Sequence, residues 1–204
     1  MRFRQVKNLT LGGRRFRGNH MSLMNKYPRL TDLEAPAASR VPKFVFAYLD
    51  SGTGQDQAKD HNRAYLDGIE LTPQFMRGRV NPDLTTKLFG HSYNAPFGVA
   101  PIGLSSLIWP GAESILGAAA KAHGFPYILS TVAGESLEMV AKAAGEMAWF
   151  QLYAPKDREV MTDLLRRAKE NGYETIVVTA DVPAPSRRES MRIAGAPLGS
   201  RGNS

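Results

Sequence analysis

The sequence predicts an α/β chain in which parallel strands alternate with helices, preceded by a helical and irregular segment. Three observations carry this. From Ala95 onward, four short apolar runs alternate with three longer stretches of helical periodicity. Gly124, Gly145 and Gly172 stand where those helical stretches should stop. The strand runs are nearly all apolar, as expected of a parallel sheet covered by helices.

The elements follow in order. "APFGVAPIG" (95–103) reads as a short strand ending in a loop. Residues 110–123 read as a helix, with Pro110 near its start, Glu113 in its first turn and Gly124 as its stop. "PYILS" (126–130) is the second strand, 135–144 a helix closed by Gly145, and "MAWFQLY" (147–153) the third strand. Residues 157–171 form the third helix, with Val160, Met161, Leu164, Leu165 and Ala168 on one face; "TIVVTAD" (175–181) is the fourth strand. Upstream, 42–49 has the pattern of a short amphipathic helix stopped by Asp50-Ser51-Gly52, 59–66 is helical, and 71–86 is a mixed connector. This divides the chain into a basic arm (1–26), a flanking segment (27–94) that reaches the mouth of the sheet, four strand–helix units (95–192) and a tail (193–204).

Composition bounds the function. The chain has 204 residues, 43% of them hydrophobic, enough to bury a core. It has no cysteine, which excludes disulfides and thiolate chemistry. His20, His61, His91 and His123 lie too far apart for metal-ligand spacing, so no metal is expected. The net charge is +7, and Arg2, Arg4, Lys7, Arg14, Arg15 and Arg17 supply nearly all of it in a stretch without an acid. The rest is close to balanced and no aromatic stacking platform follows, so nucleic acid is not expected as a partner. The basic stretch reads as a disordered arm, a transit peptide or sequence upstream of a start at Met21. Residues 92–112 are uncharged, but Pro96, Pro101, Pro110, Gly98 and Gly103 break any membrane helix there. A cytoplasmic chain, or one peripheral to a membrane, fits.

The ends of the strands differ. Their carboxyl ends read Pro101-Ile102-Gly103, Ser130-Thr131, Gln151-Leu152-Tyr153 and Thr179-Ala180-Asp181; their starts carry no such polar groups. In parallel barrels the active site lies on the loops at the carboxyl ends. Gln151 and Tyr153 fall two residues apart, hence on one face, and are expected to look into a shared mouth. Periodicity alone leaves open whether the sheet closes into a barrel.

Six stretches in register, "PKFVFAYLDSG", "NAPFGVAPIGL", "WPGAE", "YILSTVAG", "WFQLY" and "VVTADVPAPSRRE", resemble the FMN-dependent 2-hydroxy-acid dehydrogenases and oxidases, the lactate-, glycolate- and mandelate-oxidising enzymes. The resemblance covers about residues 40–192. It implies the first half of a (β/α)8 barrel with FMN at its mouth, an (S)-2-hydroxy acid as substrate, a 2-keto acid as product, and homo-oligomeric full-length relatives. Carried over residue by residue, it implies that Pro101, Ile102 and Gly103 bring backbone to the flavin, Ile102 departing from the small polar residue common there. Ser130 lies at the flavin ring, and Gln151 and Thr179 bond its pyrimidine edge. Tyr48 and Arg188 hold the substrate carboxylate, Tyr153 lies beside the substrate hydroxyl, and Asp181 orients the catalytic histidine.

The residue types suit those roles. Amide and hydroxyl groups supply the hydrogen bonds a flavin ring needs, and guanidinium can grip a carboxylate with two parallel bonds. Taken singly, the same residues read as ordinary structure: Tyr48 as a packed helix residue, Ser130 and Thr179 as turn or cap residues, Arg187 and Arg188 as a solvated loop pair. The resemblance also implies a lysine, a histidine base and a phosphate site on later strands, and none of the chain's histidines fits the base. The chain is therefore expected to be inactive by itself. Two other readings are a different FMN barrel, such as a type 2 isopentenyl-diphosphate isomerase, and a non-catalytic binding module.

Overall fold

The structure is a computed structural model that describes residues 25–78, 81–180 and 187–195, together with the backbone of a two-residue antiparallel pairing, Thr10–Leu11 (β1) with Arg14–Arg15 (β2). The expectations for the basic arm before residue 25, for Asp181 and for the tail beyond residue 195 lie outside the described residues, apart from that pairing.

A parallel three-stranded sheet organises the rest. Tyr127–Ser130 (β5), Ala148–Leu152 (β6) and Thr175–Val178 (β7) pair in the order β5-β6-β7, with Ser130 opposite Gln151 and Gln151 opposite Val177. The central strand β6 is buried along its whole length, which is why its sequence shows no alternation. Three of the four expected strands are thus present. The first is reduced to a single parallel bridge, Val99 to Tyr127, made by two hydrogen bonds: Val99 N–H to the Pro126 carbonyl (2.8 Å) and Ile128 N–H to the Val99 carbonyl (3.1 Å). Pro96 and Pro101 flank the bridge and have no N–H to extend the ladder.

The helices match their sequence signals. Helix α5 (Ala112–His123) stops at Gly124, which takes a left-handed φ of 71° and returns its N–H to the Ala120 carbonyl at 2.8 Å. Helix α6 (Leu137–Ala144) is capped by Ser136 and ends at Gly145, and α7 (Arg158–Glu170) is capped by Asp157, which accepts from the Glu159 and Val160 amides. Their apolar faces cover the sheet. Phe150, Leu129, Val140, Ala144, Ala168 and Tyr173 lie in one buried cluster. Burying a side chain the size of Phe150 contributes roughly 1.5–3 kcal/mol. Gly117 lets α5 meet α6 closely, since a Cβ there would lie 3.1 Å from the Ala144 Cβ.

The flanking segment holds more structure than its sequence suggests. Glu34–Arg40 (α1) is a helix with no expectation behind it, because Pro36 and mixed polarity hide its periodicity. Lys43–Asp50 (α2) and Gln57–Asp67 (α3) lie where helices were expected. The connector after residue 70 ends in a hairpin, Thr86–Leu88 (β3) with His91–Tyr93 (β4), that the sequence reading missed. Its turn uses Phe89 (φ 51°) and Gly90 (φ 87°), and a phenylalanine in a left-handed conformation is not a turn signal. A four-residue helix, Ser105–Ile108 (α4), and a last one, Glu189–Ile193 (α8), complete the description.

One expectation is corrected. The strand starts do carry polar groups: the Trp149 indole N–H donates to the Tyr93 hydroxyl at 3.0 Å, and His91 pairs with Glu174 at 2.8 Å. The hairpin delivers both partners, and its turn through Phe89 carries no local sequence signal.

Candidate functional site

The carboxyl ends of β5 and β6, with Thr179 just past β7, hold a polar network centred on Gln151, whose side chain is 2% exposed. Its Oε1 accepts from the Ser130 hydroxyl (3.2 Å) and from the Thr131 main-chain N–H (3.2 Å). A main-chain N–H can only donate, so it fixes which end of the amide faces it. Nε2 therefore points the other way and donates to the Thr179 Oγ1 at 2.8 Å. The lone pairs of Oε1 are both used, while one Nε2 proton remains and Thr179, an acceptor in that bond, keeps its own proton. Among the described residues the network ends on donors, which suit a carbonyl oxygen. The Ser130 Oγ also accepts from the Val132 N–H at 3.3 Å, so Ser130 braces the amide.

Thr131 is a residue the sequence reading placed at a strand end and gave no role. Its hydroxyl donates to the Gln151 carbonyl (2.5 Å) and accepts from the Tyr153 N–H (2.9 Å), joining β5 to the chain leaving β6. The serine–threonine pair at 130–131 was the only available signal. Tyr153 departs from expectation in detail: β6 ends at Leu152, Tyr153 lies just beyond it, and its side chain is 41% exposed where Gln151 is buried. The two residues adjoin one mouth without sharing one pocket.

A second group forms around Tyr48 on α2. Its hydroxyl donates to the Gly103 carbonyl at 3.1 Å, and the Arg188 guanidinium lies 5.4 Å from its ring centroid, a cation–π distance. Arg188 Nη1 donates to the Tyr48 carbonyl at 2.9 Å, leaving most of its donors uncommitted, and it has no carboxylate partner among the described residues. Its segment is tied down next door: Gly54 N–H donates to the Arg187 carbonyl at 2.6 Å, beside a parallel bridge from Gly54 to Arg188.

Gly103 links the two groups. A Cβ there would lie 2.7 Å from Val132 Cγ2, 3.3 Å from the Tyr48 hydroxyl and 3.9 Å from the Ser130 Oγ, so only glycine lets the loop pass between them. Pro101 precedes it and Ile102 is 41% exposed beside it, its carbonyl accepting from the Ser105 hydroxyl. The structure thus brings together Pro101, Ile102, Gly103, Ser130, Gln151, Thr179, Tyr48 and Arg188, and places Tyr153 at their rim.

A cavity of about 310 Å³ lies at the opposite end of the strands, lined by His91, Trp149 and Glu174 among others. The described residues hold no metal-ligating cluster.

A parallel sheet gathers an amide–hydroxyl network, a glycine loop and a guanidinium with no carboxylate partner among the described residues at the carboxyl ends of its strands, the end at which α/β proteins of this architecture bind their ligands. Comparison with known proteins gives the family. The model for FMN-dependent dehydrogenases matches residues 37–203, and the chain belongs to that family. It is 40% identical over 158 residues to an L-lactate dehydrogenase of Ectopseudomonas mendocina (strain ymp), covering 78% of this chain and 42% of that protein. It is 38% identical, again over 158 residues, to the L-lactate dehydrogenase of Xanthomonas campestris pv. campestris (strain B100), 41% of which is covered. The crystal structure of mandelate oxidase with 3,3-difluoro-2-hydroxy-3-phenylpropionic acid superposes with a TM-score of 0.78 at 34% identity, over 85% of this chain and 52% of that one. The chain therefore spans less than half the length of the curated relatives it matches. The family is FMN-dependent, and these relatives are oxidoreductases. No helix among the described residues is long and apolar enough to cross a membrane.

Proposed function

We propose that these residues form the first half of a (β/α)8 barrel that binds FMN and oxidises an (S)-2-hydroxy acid, lactate or a close analogue, to the 2-keto acid. The observation that carries the reading is the Gln151 network. It holds a buried amide in one orientation and ends on donors, and a flavin's pyrimidine ring offers carbonyl oxygens for them to meet. A bound FMN would supply the acceptor for the hydride equivalent lost from the substrate carbon.

The chain's own groups do the rest. Gln151 and Thr179 hold the ring edge and favour negative charge on it. Gly103, with no side chain, admits a planar ring against the backbone of the loop. Arg188 grips the substrate carboxylate with donors that Tyr48 leaves free, and the cation–π contact fixes its plane. The Tyr48 hydroxyl reaches the same carboxylate by exchanging its bond to the Gly103 carbonyl. Tyr153, at the exposed rim, holds the substrate hydroxyl; Asp181 follows Ala180 in the sequence and orients the proton acceptor.

That acceptor is not among the described mouth residues. His91 is engaged with Glu174 at the far end, and His123 stacks on Phe125 at 5.9 Å. In this reading the base and the phosphate site come from barrel strands beyond these, which would pair with the outer edge of β7, where Val178 is 60% exposed.

Titrating the chain with FMN, following the loss of flavin fluorescence, and then adding lactate, glycolate or mandelate without oxygen tests this. Flavin binding that Arg188→Met leaves intact, with hydroxy-acid perturbation of the flavin spectrum that Arg188→Met abolishes, is expected. Absence of any flavin binding would favour a non-catalytic module instead.

A further inference from the structure

We propose that Glu113 is a positioning residue for the flavin side of the mouth, its carboxylate tying the loop that carries Ile102 and Gly103 to the loop that follows Ser130. The inference rests on the flavin reading above, because it concerns the two loops assigned to the ring.

Glu113 lies in the first turn of α5, where a glutamate usually faces solvent and answers the helix dipole. Here it is fully buried. Its Oε1 accepts from the Ser106 N–H at 3.1 Å and the Gly134 N–H at 2.9 Å, and its Oε2 accepts from the Ser106 hydroxyl. Ser106 belongs to α4, directly after the Gly103 loop, and Gly134 to the loop after β5. A return bond runs the other way: Glu135, next to Gly134, accepts the Ser114 N–H of α5 at 2.7 Å. A Cβ on Gly134 would lie 2.6 Å from the Ser106 Cβ, so glycine is required for the loops to close on the carboxylate.

Two further bonds carry the clasp to the ring site. The Leu104 N–H donates to the Val132 carbonyl at 2.9 Å, and the Val132 N–H donates to the Ser130 Oγ at 3.3 Å. Ser130 in turn bonds Gln151. From Glu113 to the Gln151 amide, the path runs through these hydrogen bonds and the short backbone stretches 104–106 and 130–134 that join them.

The charge is unusual in its surroundings. No lysine, arginine or histidine among the described residues pairs with Glu113. The titratable groups that face it are Tyr127 of β5, whose phenol is pushed up first by burial and then by Glu113 and Glu135, and Glu135 itself. On α6, Glu138 is engaged by Arg167. A buried charge without a counterion survives only where donors surround it, and the two loops supply those donors. Proton uptake by Glu113 puts a donor where the Ser106 hydroxyl now donates and loosens the clasp.

The test uses the whole chain, with Glu113→Gln and Glu113→Ala. Amide hydrogen exchange at Ser106, Gly134, Leu104 and Val132 is followed against pH, with the amides of α7 as the control for folding, and riboflavin and FMN are titrated in parallel. Glu113→Ala should raise exchange at all four amides by about tenfold or more while α7 is unchanged. In the native chain, protection at Leu104 and Val132 should show a carboxylate titration beyond the intrinsic base-catalysed rise, and Glu113→Gln, which keeps the shape, should lack it. If Glu113→Ala also loosens α7, the Glu113→Gln pH profile decides. Retention of the titration step in that variant, or unchanged exchange at Leu104 and Val132 in a folded Glu113→Ala, overturns the proposal. Failure of the native chain to bind either flavin overturns the flavin reading alone, since the exchange arm still reads the clasp.

Discussion

At the amino ends of β5–β7, Trp149 packs edge-on against Phe89 and Tyr93, with ring centroids 5.6 and 6.0 Å apart, and its one polar atom is bonded to Tyr93. At the carboxyl ends of the same strands, Gln151 is also buried, yet its network stops on donors that meet no acceptor among the described residues. Both ends bury polar atoms. One closes its hydrogen bonds within the protein, and the other leaves valences pointing at a mouth. A hairpin covers the first; loops held by glycines and a buried carboxylate frame the second. In the proposed reading, stability and ligand recognition fall at opposite ends of one sheet, as parallel barrels generally arrange them.

The comparison is broken most severely at the closed end. Trp149→Ala removes a large, nearly buried ring and leaves the Tyr93 hydroxyl without its donor. It should cost about 3–5 kcal/mol, read as a lower urea midpoint, with flavin affinity of the folded fraction unchanged. A comparable loss of flavin affinity at full stability would reverse the assignment of the two ends.

At the open end, Gln151→Leu should do the opposite. It leaves the Thr131 N–H and the Thr179 hydroxyl unpaired and removes the ring's donor, at roughly 1–3 kcal/mol of flavin binding, or about 5- to 150-fold in affinity. A fluorescence titration showing unchanged affinity would sink the assignment of Gln151 to the ring.

The acid limb of stability sharpens the contrast between buried and exposed carboxylates. Burial alone would push Glu113 up, but its bonds from Ser106, Gly134 and its own amide together hold it below the ordinary carboxylate range. A depressed folded value stabilises the chain in full above the unfolded value of about 4.3 and is lost as pH falls through the lower folded one. Glu113→Gln should therefore flatten the loss of stability below pH of about 4. Glu138, held down to about 2 chiefly by the Arg167 guanidinium, has the same sign over a window reaching that value, but its side chain is 37% exposed and its effect should be smaller and fade with salt. Melting temperatures against pH for both glutamine variants would show the order.

The smallest effect is expected at His91. Its pair with Glu174 lies at the closed end but at the surface, with 38% and 71% of the two side chains exposed. His91→Ala should change stability by at most about 1 kcal/mol, less at high salt, which a chemical denaturation series at two ionic strengths can resolve.

Much of the fold was legible because it is written locally. Glycine stops and the apolar stripe of α7 each depend on residues within one or two turns, and the structure has both. The strand run at 95–103 misled, since apolar residues attract a strand assignment while Pro96 and Pro101 limit its pairing to one bridge. The hairpin at 86–93 was invisible because its turn rests on Phe89 in a conformation that phenylalanine rarely adopts. Among site residues, the motif stretches pointed to Ser130, Gln151 and Thr179. Nothing in them distinguished Thr131 from a strand-end threonine or Glu113 from a helix-start glutamate.

What the sequence determined alone is the order of elements, the apolar character of the central strand and the kinds of polar group at each strand end, all properties of residues and their near neighbours. The tertiary structure decided which way the Gln151 amide points, because that depends on a main-chain N–H from the turn that follows another strand. It also decided that Glu113 is a buried clasp, since its donors come from a helix and a loop seven and twenty-one residues away. Hydrogen-bond partners at such separations are set by packing, and packing is a property of the folded chain that no local pattern records.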